Sequence, residues 1–375
     1  MKRALPIILF LAPCVKAVSQ NGLTDFVKKV GTFIDSMSVK GLDRQYIDAP
    51  EKPWQLILRG NMNQGSVMME TSGNIMGMNY HAKPYLKTEP SKYVGLWAGY
   101  RGYGLGYTVN VGGDKGSYLT FGATGGAYGV NLRIHTFDND HPQFSFTSDL
   151  IPEDNKEEWD EVQLIDPIRV RTLILDGYYL FNGKRFSYAA AYDQSVIQKR
   201  SAGSFMAGAM YYHSHINYAT PNNGDLIYMM KGLGRVKLWQ GSVGVGYAYN
   251  WVPFRGMLVS AMAMPMITFV NKIKVYGYST NVEELMEDER FFSEDISDEE
   301  WDNWFYGNLL ITPIGDETFN SGMTLNFDAR LSLTYNFGRY FINAYGQFNN
   351  NRYRHSESHG HLNDWFVNTS FGIRL

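Results

Sequence analysis

The chain has 375 residues, 44% hydrophobic and 15% aromatic, with 26 tyrosines, 38 glycines and a formal net charge of only −3. That balance, with no glycine-rich phosphate loop and no basic recognition motif, excludes a nucleic-acid partner. The lone cysteine, Cys14, excludes an internal disulfide, and no apolar run past the first residues is long enough for a membrane helix.

At the start, Lys2 and Arg3 precede a short apolar run from Ala4 to Cys14, and Ala17-Val18-Ser19 supplies small residues for cleavage. Residues 1–19 therefore read as a signal peptide. Leu11-Ala12-Pro13-Cys14 makes a poor lipoprotein box, because Pro13 is neither small nor flexible. Cleavage removes Cys14 and leaves the mature chain without a thiol. Residues 20–52 read as a periplasmic segment. There Leu23, Phe26, Val27, Val30, Phe33 and Ile34 recur at helical spacing and predict a short helix over 22–36.

From residue 53 to 375 the dominant period is two. In Met323 to Phe337 one face carries Leu325, Phe327, Leu331, Leu333 and Tyr335, and the other carries Asn326, Asp328, Arg330, Ser332 and Thr334. Val243, Val245, Tyr247, Tyr249 and Trp251 alternate in the same way with Ser242, Gly244, Gly246, Ala248 and Asn250. Long strands with aromatics near their ends favour a membrane wall over a soluble sheet with one buried face. The expectation is an all-β fold, an antiparallel transmembrane β-barrel of about 12 strands (range 10–14) in the outer membrane of a Gram-negative bacterium. The strands are placed at 54–62, 67–81, 93–100, 103–111, 118–136, 170–181, 203–216, 236–250, 257–270, 322–336, 340–353 and 363–375. With both termini periplasmic, the turns 112–117, 252–256 and 337–339 fall inside, and the long loops 137–169, 217–235 and 271–321 fall outside. Residues 182–202 are read as a periplasmic connection that folds up as a lumen plug.

Around that connection stand Phe186-Ser187-Tyr188-Ala189-Ala190-Ala191, Gln194, and Gln198-Lys199-Arg200-Ser201-Ala202-Gly203-Ser204. With Asp43-Arg44-Gln45-Tyr46-Ile47-Asp48, these resemble a family of Gram-negative outer-membrane barrels catalogued only as a domain of unknown function. The resemblance covers the chain from about Asp43 to its end and implies a barrel without implying an activity. It departs at Ala189, where the family has proline, which implies a softer bend. The motif residues Phe186, Ser187, Tyr188, Gln194, Gln198, Arg200, Ser201, Gly203 and Ser204 are the candidate plug.

Chemistry is sparse. His213-Ser214-His215 suggests a lipid hydrolase, but alternation puts Ser214 on the opposite face from both histidines, so no catalytic residue is assigned. His355, His359 and His361 have loop spacing that can hold zinc, with no framing helix or cysteine, so no metal or cofactor is assigned. Charge is uneven. Asn281 to Asp302 carries eleven acids against Arg290, and Asp138 to Glu161 nine against Lys156, leaving everything else at +15. Arg133, Arg171, Arg330 and Arg374 sit on strands, so the pattern predicts a basic lumen under an acidic rim. The function expected first is a narrow channel or transporter for a small solute. The alternatives are a surface-binding or structural barrel acting through its acidic loops, and a lipid-modifying enzyme. Membrane lipid, the barrel-assembly machinery and a small solute are the expected partners.

Overall fold

The computed structural model describes residues 41–375 except 76–77, 114, 149–159, 162, 231, 294–295 and 356–357. The expected signal peptide and the helix over 22–36 lie outside the described residues.

Twelve antiparallel strands pair in chain order. They are β1 (Trp54–Ile75), β2 (Ser91–Tyr100), β3 (Tyr103–Gly112), β4 (Lys115–Thr124), β5 (Tyr128–Asn139) and β6 (Ile168–Leu180), followed by β7 (Ala202–Asn217), β8 (Leu233–Trp251), β9 (Met257–Thr280), β10 (Thr324–Phe337), β11 (Tyr340–His355) and β12 (Ser358–Arg374). β12 returns to pair with β1 from Ser358↔Thr71 to Arg374↔Gln55, closing the wall. Closure pairs the backbone groups that a sheet edge would otherwise present to lipid.

The wall is inverted relative to a water-soluble protein. On β10, Leu325, Leu331, Leu333 and Tyr335 are exposed, whereas Asn326, Asp328, Ser332 and Thr334 are buried. On β8, Val243, Val245, Tyr247, Tyr249 and Trp251 face out, and Ser242, Ala248 and Asn250 face in. An apolar exterior around a polar interior belongs in a bilayer. Aromatic rings gather outside where the turns are short. Tyr335, Phe337, Tyr340 and Phe371 form a row with successive centroids 5.8, 5.9 and 6.0 Å apart, the girdle expected at a membrane–water boundary. The molecule is an outer-membrane barrel.

The strand number matches the expectation although two placements differ. Residues 54–62 and 67–81 are not two wall strands. β1 runs unbroken from Trp54 to Ile75, and Met78–Lys87 turns back outside the circuit to pair with β1 and with Gln143–Ser148. The polar stretch Asn63-Gln64-Gly65-Ser66 looks like a turn, yet a wall strand tolerates it because Asn63 faces the polar interior and Gln64, on the other face, donates to the Thr88 carbonyl at 2.7 Å and accepts from Trp365 at 3.1 Å. Conversely, 118–136 is two strands, β4 and β5, divided at Gly125-Gly126-Ala127. The differences cancel in the count but move the turn between β3 and β4, which lies at the long-loop end, opposite 252–256 and 338–339. Loops 140–167, 218–232 and 281–323 share that long-loop end.

Among the described residues there are four short α-helices, α1 (Tyr188–Tyr192), α2 (Gly224–Met229), α3 (Val282–Met286) and α4 (Asp298–Asn308). The acidic loop is more than a solvated tether. Ser297 and Glu300 form a capping box at the start of α4, and Val282, Leu285, Phe305 and Leu309 make a small core of their own.

Candidate functional site in the lumen

The connection 181–201 enters the barrel at the short-turn end. Ser187 starts α1 by accepting a hydrogen bond from the Ala190 N–H at 3.1 Å, and its own N–H donates to Gln198 Oε1 at 3.0 Å. Ala189 takes the second helical position, where proline's missing N–H is tolerated, so the departure from the family pattern leaves this start intact. Gln194 ends the turn at φ 62°, a left-handed conformation unusual for its side chain. Its carbonyl accepts from Arg374 Nε and Nη2 at 3.1 and 2.8 Å, which holds that conformation in place.

Strands all round the wall hold the plug. Ser332 and Asn343 donate to the Ala191 carbonyl at 2.6 and 3.0 Å, from β10 and β11. Asn250 of β8 donates to the Ser187 carbonyl at 2.8 Å. Thr124 of β4 donates to the Asp193 carboxylate at 2.8 Å, and Gln55 of β1 to the Asp193 carbonyl at 3.4 Å. Helix carbonyls with no partner in so short a helix are thus satisfied by wall side chains.

The other motif residues sit around this core. Phe186 is fully buried against the wall. Gln198 donates to the Arg185 and Arg200 carbonyls at 2.6 and 2.9 Å. Ser201 accepts from the Val252 N–H at 2.9 Å, and Ser204 from the Asn182 N–H at 3.0 Å. Gly203 lies under the Tyr247 ring, which would have to move to admit a side chain, a Cβ there lying 2.0 Å from its hydroxyl. The Asp43–Asp48 stretch joins the same assembly. Ile47–Asp48 pairs with Ile197–Gln198, Arg185 bridges to Asp43 at 3.5 Å, and Arg185 and Arg200 lie over the Tyr46 ring. Both motif stretches therefore form one structure, a plug and its cap.

Above α1 lies a buried ion cluster. Arg330 contacts Asp328 at 2.8 Å and Asp176 at 3.2 Å, and also donates to the Tyr188 hydroxyl on the plug. Asn131 and Gln347 donate to the same carboxylates at 2.8 and 3.1 Å. The lumen is not basic as expected. Among the described residues, Arg59, Arg133, Arg330 and Arg374 face in, and so do Asp176, Asp193, Asp328 and Asp364, so the interior is near balance. Arg171 points outward. The charge excess could not reveal this, because alternation at the wall had to be resolved residue by residue. No sequence motif marks Arg59 or Asp176, although both lie at inward positions of their strands.

Between the cluster and the long loops, a cavity of about 100 Å³ opens. Phe137, Ile168, Ile174, Ile216 and Leu362 supply an apolar wall, and Arg133 and Asp364 line it without pairing within ion-pair distance. Among the described residues, three buried polar atoms on this cavity have no protein partner: Arg133 Nη2, Asn139 Nδ2 and Asn63 Oδ1. Such atoms favour a polar guest. His135 is not free to act here, since it is sandwiched between Tyr118 and Phe137 and bonded to the Tyr93 hydroxyl at 3.0 Å.

The other candidates separate. Ser214 is buried on the lumen side, within 3.4 Å of the Thr172 hydroxyl, while His213 and His215 stand outside. The backbone places His355, His359 and His361 on the β11–β12 hairpin. The His355 and His359 side chains lie outside what the structure describes.

A family model described as a domain of unknown function (DUF4421) matches residues 41–374. No curated protein matches in sequence. Among solved structures, the β-domain of the Bordetella autotransporter BrkA is similar at 11% identity and TM-score 0.30, over 87% of this chain and all of that one. The outer membrane protein OprG of Pseudomonas aeruginosa is similar at 10% identity and TM-score 0.29, over 88% of this chain and all of that one. The COG4313 outer membrane channel of Pseudomonas putida F1 is similar at 8% identity and TM-score 0.28, over 87% and 97% of the two chains.

Proposed function

The chain belongs to that family of unknown function, and from its site we propose that it is a plugged, non-enzymatic channel for a small amphipathic solute. The observation that carries this reading is the stacking of two features along one lumen. A vestibule with unpartnered polar atoms at Arg133, Asn139 and Asn63 sits directly over a plug tied to the wall by hydrogen bonds. A structural barrel needs no such cavity. Apolar side chains would take the solute body, and the Arg133 guanidinium would take its anionic end. Passage requires α1 to leave its seat, since Tyr188 and Tyr192 fill the lumen beside the ion cluster.

Planar-bilayer recording tests it. The full chain is expected to be nearly silent. A variant with residues 184–199 replaced by a short Gly-Ser linker, shown to be a folded barrel by its heat-modified migration, is expected to conduct steadily. A folded but silent plugless variant would refute the channel.

A second reading has its own support. The acidic loop carries a core and a capped helix, a cost unneeded by a mere spacer, which fits a surface-binding role. Deleting 283–308 would then abolish partner capture and leave conductance unchanged.

A further inference from the structure

The outer wall of β6 to β9 carries the excess of cations over acids that the lumen does not have. Register places Arg171, His215, Lys237 and Lys274 directly across from one another on four successive strands. One row nearer the loops stand Arg169, Asn217, Arg235 and Tyr276, and one row nearer the membrane centre stand Leu173, His213, Trp239 and Lys272. All share the outward face with the exposed Leu175, Tyr211 and Val243. Six fixed cations thus occupy a patch three rows deep. The carboxylates nearest them are Asp138, paired across from Arg169, and Asp316, which bridges Lys274 at 3.0 Å. The cations crowd one ring, with Arg235, Lys237 and Lys274 at 4.8, 5.5 and 5.0 Å from the Tyr276 centroid. Among the described residues, nothing hydrogen-bonds the buried Arg235 Nε and His215 Nε2. Like charges drawn this close repel unless an anion lies among them.

Directly below, the same four strands form a groove of about 840 Å³ in the apolar belt. Its floor is made of small residues, Gly177, Ala207 and Ala209, and its sides of Tyr179, Val243 and Ile267. Pro265 also lines it, and the β8–β9 register there skips the pairing opposite Val245. From Arg171 to Gly177 is six residues, about 20 Å along a strand. That spacing separates a lipid headgroup from the middle of its acyl chains. Trp239, stacked on His213 at 5.1 Å, lies between at the interface level.

We propose that this wall binds one phosphorylated, multiply acylated glycolipid of the lipopolysaccharide type, with phosphates among Arg171, Lys237 and Lys274 and an acyl chain in the groove. A soluble anion would use the cations but not the groove, and a neutral lipid the groove but not the cations. The position at the long-loop end puts the site in the outer leaflet, since outer-membrane barrels expose their long loops. The proposal is independent of the channel reading, because no residue of the site reaches the lumen.

The test is native mass spectrometry of the full-length barrel in neutral-lipid nanodiscs doped with diphosphoryl lipid A, phosphatidylglycerol or neither. One lipid A is expected to be retained in preference to phosphatidylglycerol. The variant Arg171→Gln/Lys237→Gln/Lys274→Gln should lose about 100-fold in affinity, roughly five-fold per basic side chain. Ala209→Trp, which fills the groove and keeps every cation, should also weaken lipid A. Lys92→Gln, on β2 four strands away from β6, should change nothing. Variants are scored only as heat-modifiable, folded barrels. Equal retention of lipid A and phosphatidylglycerol, or retention by the triple variant, would overturn the proposal.

Discussion

The two ends of the barrel solve opposite problems. At the short-turn end, wall side chains from many strands converge on a five-residue helix and its flanks, and the opening is filled by the chain itself. At the long-loop end, the lumen widens into a vestibule, and charge is sorted by face, cations on the outer wall and acids in the loops. The contrast teaches that a membrane barrel's inner face is a polar core. Its groups obey the rules of buried polar networks, whereas its outer face obeys those of lipid and interface.

Breaking the sealed end at Arg330 should have the largest effect. Arg330→Ala leaves Asp176 and Asp328 buried without their shared cation and should cost about 3–5 kcal/mol. The urea midpoint of refolding in vesicles measures it. Adding Asp176→Asn and Asp328→Asn should recover most of the loss, and if it does not, the cluster is not the fastening described.

The wall itself is tested next. Val245 is 69% exposed on the lipid side, so Val245→Arg should cost about 2–4 kcal/mol in the same assay. The sequence suggests that an arginine at neighbouring Gly244 would be hydrated in the lumen and better tolerated, but the structure corrects this. A Cβ there would lie 2.4 Å from the Pro265 carbonyl oxygen, so even Gly244→Ala should impair assembly. Heat-modifiable migration of the two variants distinguishes an unfavourable solvent from a backbone clash.

A smaller effect is expected at the plug's tether. Asn343→Leu leaves the Ala191 carbonyl with one wall donor instead of two and should weaken the seating of the plug, not the barrel, by about 0.5–1.5 kcal/mol. It should raise the frequency of brief conducting events without altering the barrel's melting. An unchanged recording would mean that the other fastenings, from Ser332, Asn250, Thr124 and Arg374, hold the helix without Asn343.

The smallest effect is at the acidic loop. The Arg290 guanidinium and N–H hold the Asp288 carboxyl down at about 2. A depressed folded value gives stability that is present above the unfolded value near 4 and lost as pH falls through about 2. Because both groups are in water, Asp288→Asn should leave the unfolding midpoint at pH 7 unmoved. A clear drop would show that the loop is coupled to the wall.

Much of the wall was legible because lipid and lumen impose a strict period of two, and no other force competes along β8 or β10. Legibility failed where one residue type serves two purposes. Asn63-Gln64-Gly65-Ser66 reads as a turn but continues β1, with Asn63 on the lumen cavity and Gln64 bonded to Trp365 and the Thr88 carbonyl, and Gly125-Gly126 reads as strand because glycine is common in strands such as β3. For the plug, the motif located the segment, but its fastenings come from Ser332, Asn343 and Arg374, more than 130 positions away. No local pattern encodes such pairings. The cation patch was equally hidden, since Arg171, Lys237 and Lys274 meet only through register.

One detail of closure bears on how the molecule is made. The Trp54 and Leu375 backbones exchange hydrogen bonds at 3.4 and 2.9 Å, and Asn61 is bonded to Asn368, 307 positions later. β1 emerges early and cannot find its neighbour until β12 has been synthesised and brought back across the whole intervening chain. Folding must therefore wait on the most distant contact in the sequence, a slow and all-or-none event. Until it happens, β1 offers its unpaired edge to any other chain nearby, so an escort that shields this edge during export would protect the protein more than any gain in its final stability.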